Sequence, residues 1–72
     1  MKRINLHQLT EAHLPLGVGP YETGEGNDGY AIFTKNNEKV DMENGSYGYD
    51  TYFPDEDEAT KTANFLNECL TK

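Results

Sequence analysis

The side chains with the widest chemical repertoire in this chain are His7, His13, Cys69 and thirteen carboxylates. A Cys/His pair can carry nucleophilic catalysis, and His, Cys and carboxylate together can hold zinc. The spacing supports neither. His7 and His13 do not share a helix face, because neighbours on such a face are three or four residues apart. Cys69 lies far along the chain, on the apolar stripe of an expected helix, where a lone cysteine acts as a small core residue. General acid–base work needs paired groups in a cleft, and a 72-residue chain has little room for one. The expectation is a protein without catalytic residues, metal or cofactor.

Two further patterns imitate ligand sites. Gly24-Glu25-Gly26-Asn27-Asp28-Gly29 spells G-x-G-x-x-G. A dinucleotide fingerprint needs a strand before it and a helix after it, whereas a strand is expected to follow here. Glu25 and Asp28 would also repel a pyrophosphate, so the stretch reads as a hairpin loop. Asp55-Glu56-Asp57-Glu58 invites comparison with a calcium loop. Such a loop spreads its ligands over about 12 residues around a central glycine; these four acids are consecutive. They suit a first helical turn, where carboxylates meet the positive end of the helix dipole. Asn44-Gly45-Ser46 has the letters of a glycosylation sequon but, without a secretion signal, reads as a turn.

Carboxylates that catalyse nothing can still bind. Thirteen acids against six bases give a formal charge of −7. That balance repels nucleic acid and anionic membranes and attracts basic partners, whose commonest surfaces are those that bind nucleic acid. The acidity peaks between Val40 and Thr60, where Asp41, Glu43, Asp50, Asp55, Glu56, Asp57 and Glu58 meet no Lys or Arg. Carboxylates set several ångströms apart can imitate a phosphate backbone to a basic groove. Tyr47, Tyr49 and Tyr52 lie close together in the same stretch. Exposed tyrosine is favoured at interfaces. Tyr47 and Tyr49 share an expected strand face with Phe53, which leaves Tyr52 and Tyr21 as surface candidates. The candidate partner-binding residues are therefore Asp50, Tyr52, Asp55, Glu56 and Asp57, with Glu25 and Asp28 second. An alternative is a small structural or regulatory homodimer built on Tyr47, Phe53, Phe65 and Leu66.

These groups must be held by elements. The length implies one domain over 1–72. Asn5 to Leu14 predicts a short helix with Asn5 and Gln8 as a capping box and Pro15 as its stop. A strand from Lys2 to Leu6 is the alternative, since Ile4 and Leu6 alternate. Leu16 to Pro20 reads as a broken connection and Tyr21 to Thr23 as a short strand. Tyr30 to Thr34 is the clearest strand. Asn36-Asn37 suits a turn. Glu38 to Glu43 reads as a half-buried strand, with Val40 and Met42 inward and Lys39, Asp41 and Glu43 outward. Asn44-Gly45 predicts a hairpin into a strand over 46–53. Asp55 caps a final helix, with Glu58 completing the box and a stripe of Ala59, Thr62, Ala63, Leu66, Cys69 and Leu70 flanked by Phe65. The predicted class is α+β: an antiparallel meander of three to four strands packed against one C-terminal helix, with a short N-terminal helix. One cysteine rules out an internal disulfide. The absence of a signal-like or membrane-length apolar run predicts a cytoplasmic protein.

The segment Tyr52-Phe53-Pro54-Asp55-Glu56-Asp57-Glu58-Ala59, leading to Asn64-Phe65-Leu66-Asn67-Glu68, resembles the strand-to-helix ending of small acidic phage and mobile-element proteins. Anti-CRISPR proteins and other host-takeover inhibitors are among them. The resemblance covers roughly the last third of the chain and carries over no functional residue. It implies an inhibitor that binds a host complex in the bacterial cytoplasm.

Overall fold

The structure is a computed structural model and describes residues 2–26, 28–42 and 51–71. The expected Asn44-Gly45 hairpin, most of the strand over 46–53, and Tyr47, Tyr49 and Asp50 lie outside the described residues.

Four strands form one sheet: β1 (Arg3–Asn5), β2 (Gly17–Glu22), β3 (Asp28–Phe33) and β4 (Lys39–Asp41). Their order is β1-β4-β3-β2, with β1 parallel to β4 and the other pairs antiparallel. Helix α1 (Glu56–Leu70) crosses one face against β2 and β3. The α+β class holds. The purely antiparallel meander does not, because the N-terminal segment returns as a parallel edge strand.

The expected N-terminal helix is also replaced. Arg3–Asn5 is strand, and Leu6–Gln8 and Glu11–His13 are single 3₁₀ turns. The Asn5–Gln8 relationship survives, with the Asn5 N–H donating to Gln8 Oε1 at 3.0 Å. The helix fails at Leu9 and Thr10, both of which are extended. Leu9 is buried in the core. Thr10 starts a new turn, donating its N–H to His13 Nδ1 at 2.9 Å and accepting from the Ala12 N–H at 3.3 Å. Local side-chain bonds of this kind compete with a continuous helix.

Strand β2 is longer than its glycines and proline suggest, and its position explains why. It lies at the sheet edge. Tyr30 of β3 exchanges both backbone bonds with Phe53, each at 2.7 Å, so those groups point away from β2. Its partner Pro20 therefore belongs to a non-hydrogen-bonded pair and turns its backbone to the free edge, where a missing N–H costs no ladder bond. Gly19 makes room for the Phe33 ring, whose Cε2 would stand 3.3 Å from a side-chain carbon there. Between β3 and β4 the Asn turn forms as expected: Asn37 has φ +67° and its N–H donates to the Thr34 carbonyl at 2.9 Å.

Ile32 and Val40 face α1 and form the core with Leu9, Leu16 and Ala63. Ile4, Val18, Phe53, Leu66 and Leu70 pack around it. The opposite face holds an ionic cluster that the half-buried reading of β4 misses. Lys39 is 0% exposed and Asp41 2%. The Asp41 carboxylate pairs with Lys39 Nζ, sits 3.5 Å from Arg3 Nε and accepts the Thr51 N–H at 3.2 Å. Lys39 Nζ also lies 4.7 Å from the centroid of the Tyr21 ring. Strand β3 separates β2 from β4, and its small residues Gly29 and Ala31 let Tyr21 and Lys39 meet above it.

Candidate functional site

The Tyr30–Phe53 bridge decides where the acidic residues gather. It ties the chain just before α1 to the middle of β3, and Pro54 follows immediately. Asp55 then caps α1, with its Oδ1 accepting the Asp57 N–H at 3.0 Å. The helix starts as predicted, but Glu58 is exposed and the cap bond runs to Asp57. Glu56 and Asp57 are exposed as well, beside the positive end of the helix dipole.

The other acids sit at the loop end of the β2–β3 hairpin. Glu22 pairs directly with Asp28 across the two strands. Alternation from the Tyr30 bonds makes this a non-hydrogen-bonded pair, the kind whose Cα atoms approach to about 4.5 Å and whose side chains lie closest. Two like charges in that relation are destabilising. Glu25 is exposed in the turn that follows, where Gly26 has φ +84°. Strand β2 precedes the glycine-rich loop and β3 follows it, so the loop does not open a helix as a phosphate-binding fingerprint does.

These two acidic groups are neighbours. An open groove of about 490 Å³ is lined by Pro20, Tyr21, Glu22, Asp28, Gly29, Tyr30 and Pro54. Pro54 carries the wall directly into Asp55 and Glu56. The structure thus joins Asp28 to the start of α1 and adds Glu22, which sequence reasoning missed. Glu22 falls in the expected short strand Tyr21 to Thr23, but only the β2–β3 register shows that it stands opposite Asp28.

Tyr52 does not join this surface. It is half-buried, and its Cδ2 would stand 2.9 Å from a side-chain carbon at Gly29. It follows the alternation opposite to Phe53, away from α1. Asp50 lies outside the described residues.

Charge is also sorted. Among the described residues, the ion pairs are those of Arg3 and Lys39 with Asp41. Arg3 and Lys39 are therefore held by Asp41 on the face away from α1, and the residues lining the groove include no Lys or Arg. Among the described residues, no group of three or more His, Cys, Asp or Glu is arranged to hold a metal ion. Cys69 is exposed near the end of α1, which corrects its expected place in the core. His13 serves the Thr10 turn. Among the described residues, no helix is long and apolar enough to cross a membrane.

No family model, no curated protein and no solved structure matches the chain. The surface itself carries the functional reading. Of the residues named for a homodimer, Phe53 and Leu66 pack against the core, and Tyr47 lies outside the described residues. Phe65 remains, 63% exposed, and a single exposed ring is ordinary on a monomer.

Proposed function

We propose that this protein is a non-enzymatic binder whose acidic end occludes a basic, nucleic-acid-binding surface of a host complex, in the manner of phage-type inhibitors such as anti-CRISPR proteins. One observation carries the reading. Glu22 and Asp28 oppose each other at the loop end of the hairpin, and the groove they line includes Pro54, which directly precedes the acidic start of α1. Natural folds keep such local conflicts mainly where function needs them. The cap accounts for Asp55, but it does not account for Glu22 and Asp28.

The test separates charge from folding. Asp55 is replaced by Asn, which retains a capping oxygen, while Glu56 and Asp57 become Lys. Pull-down from host lysate with the unchanged chain should recover a basic partner that is lost as salt is raised, because such contacts are screened. The triple variant should keep its helical signal and lose that partner. A captured set indifferent to both salt and the variant overturns the reading.

A further inference from the structure

We propose that the groove between β2, β3 and Pro54 is a guanidinium pocket that receives an arginine side chain of the basic partner. This rests on the reading of the chain as a binder of a basic surface and names the contact at its centre.

The carboxylates come first. Glu22 and Asp28 project from directly opposed positions on two strands, so their side chains stand side by side on one face of the hairpin. Both residues are exposed, and among the described residues neither is held in an ion pair. A cation placed between them would relieve a repulsion built into the fold, and among the described residues no ion pair supplies one.

The walls then select among cations. Pro20 and Tyr30 form the next opposed pair on the same face as Glu22 and Asp28. Pro54 closes one side, and Tyr21 and Gly29 contribute to the floor. These are flat or compact apolar surfaces beside two carboxylates. A guanidinium is planar, weakly hydrated and able to stack on an aromatic face while its N–H fork bonds carboxylates. An ammonium is a compact and strongly hydrated point charge, and it gains little from such walls. The helix acids lack this setting. Asp55 is committed to its cap, and Glu56 and Asp57 are exposed on the first turn.

The experiment titrates the ¹⁵N-labelled protein with a hexa-arginine peptide and, separately, a hexa-lysine peptide at one ionic strength. Hexa-arginine should shift the amides of Glu22, Asp28, Gly29 and Tyr30 and bind about tenfold tighter than hexa-lysine, as expected for charge-assisted bonds that a guanidinium makes and an ammonium does not. The double variant Glu22→Gln with Asp28→Asn should weaken hexa-arginine binding by about tenfold or more, roughly the loss of one such bond. Its thermal midpoint should be unchanged or raised, since the change removes a repulsion, so the loss cannot be ascribed to unfolding. Equal affinity for the two peptides overturns the pocket, as does a double variant that binds hexa-arginine unchanged. Shifts confined to the amides of Glu56 to Glu58 also overturn it and leave the wider acidic-binder reading standing. If neither peptide binds, both fall together.

Discussion

The side-chain amide of Asn67 is paired with the backbone of Leu16 on both of its edges. The Leu16 N–H donates to Asn67 Oδ1 at 2.8 Å, and Asn67 Nδ2 donates to the Leu16 carbonyl at 3.2 Å. The amide thus behaves like one more rung of a sheet, projected from a helix. Leu16 is buried and immediately precedes β2. The pairing pins the last turns of α1 to the start of β2, while the Tyr30–Phe53 bridge pins the chain before its first turn to β3. Held at these two points, the helix has no freedom to slide across the sheet.

Asn67→Ala should therefore destabilise the domain by about 1–3 kcal/mol, the cost of leaving part-buried backbone groups unsatisfied. Asn67→Asp should not rescue it, because a carboxylate accepts the Leu16 N–H but cannot donate to the Leu16 carbonyl. Urea denaturation measures both variants. A stability equal to that of the unchanged chain would show that the pairing is incidental.

The buried ionic cluster makes a second prediction. Lys39 and Asp41 are on neighbouring outward positions of β4, yet both are buried beneath Arg3, Tyr21 and Thr51. Removing one partner leaves the other charge in a site water reaches poorly. Lys39→Met or Asp41→Leu alone should cost about 3–5 kcal/mol, and the double variant should cost less than either alone. Chemical denaturation of the four proteins closes the cycle. Additive losses would mean that the two charges do not depend on each other.

Much of this arrangement is legible in the sequence, and the remainder is hidden for definite reasons. The Asp55 cap, α1, β3 and the Asn37 turn follow from local chemistry, which dominates where a segment is long or a side chain bonds its own backbone. The end of β2 is anticipated at Tyr21 to Thr23, but its start is hidden because Gly17, Gly19 and Pro20 read as breakers, and only the edge position and the ring of Phe33 make them acceptable. The burial of Lys39 and Asp41 is hidden because alternation says which residues share a face, not what covers it. Periodicity marks Cys69 as apolar and inward, but the helix end leaves it exposed. In the candidate site, Asp28, Asp55, Glu56 and Asp57 are visible as charges. Their adjacency and the contribution of Glu22 depend on strand register, a long-range property that composition does not encode.

Gly29 provides a third prediction. A side-chain carbon there would stand 2.5 Å from the Phe53 carbonyl oxygen and 2.9 Å from Tyr52 Cδ2. The oxygen belongs to the backbone that bonds the Tyr30 N–H, so relief requires the bridge to open. Gly29→Ala should cost about 1–3 kcal/mol, as overpacking does. It should also speed hydrogen exchange at the amides of Tyr30 and Phe53 more than at Ile32. Uniform acceleration across β3 would point instead to a general loss of stability.

Pro20 provides the last. Among the described residues the outer edge of β2 is unpaired, and an unpaired edge is a template for another chain. The alternation fixed by Tyr30 turns the backbones of Val18, Pro20 and Glu22 to that edge. At its middle the chain offers a carbonyl and no N–H. The other edge, β1, is only three residues long, and its Asn5 N–H is taken by Gln8. Both edges are therefore blunted against strand addition. Pro20→Val restores the donor and places a β-branched residue where strands favour one. The variant should keep the fold and self-associate more strongly with rising concentration than the unchanged chain does. Sedimentation velocity over a concentration series reads this directly. If both proteins sediment alike at every concentration, Pro20 is not what guards the edge.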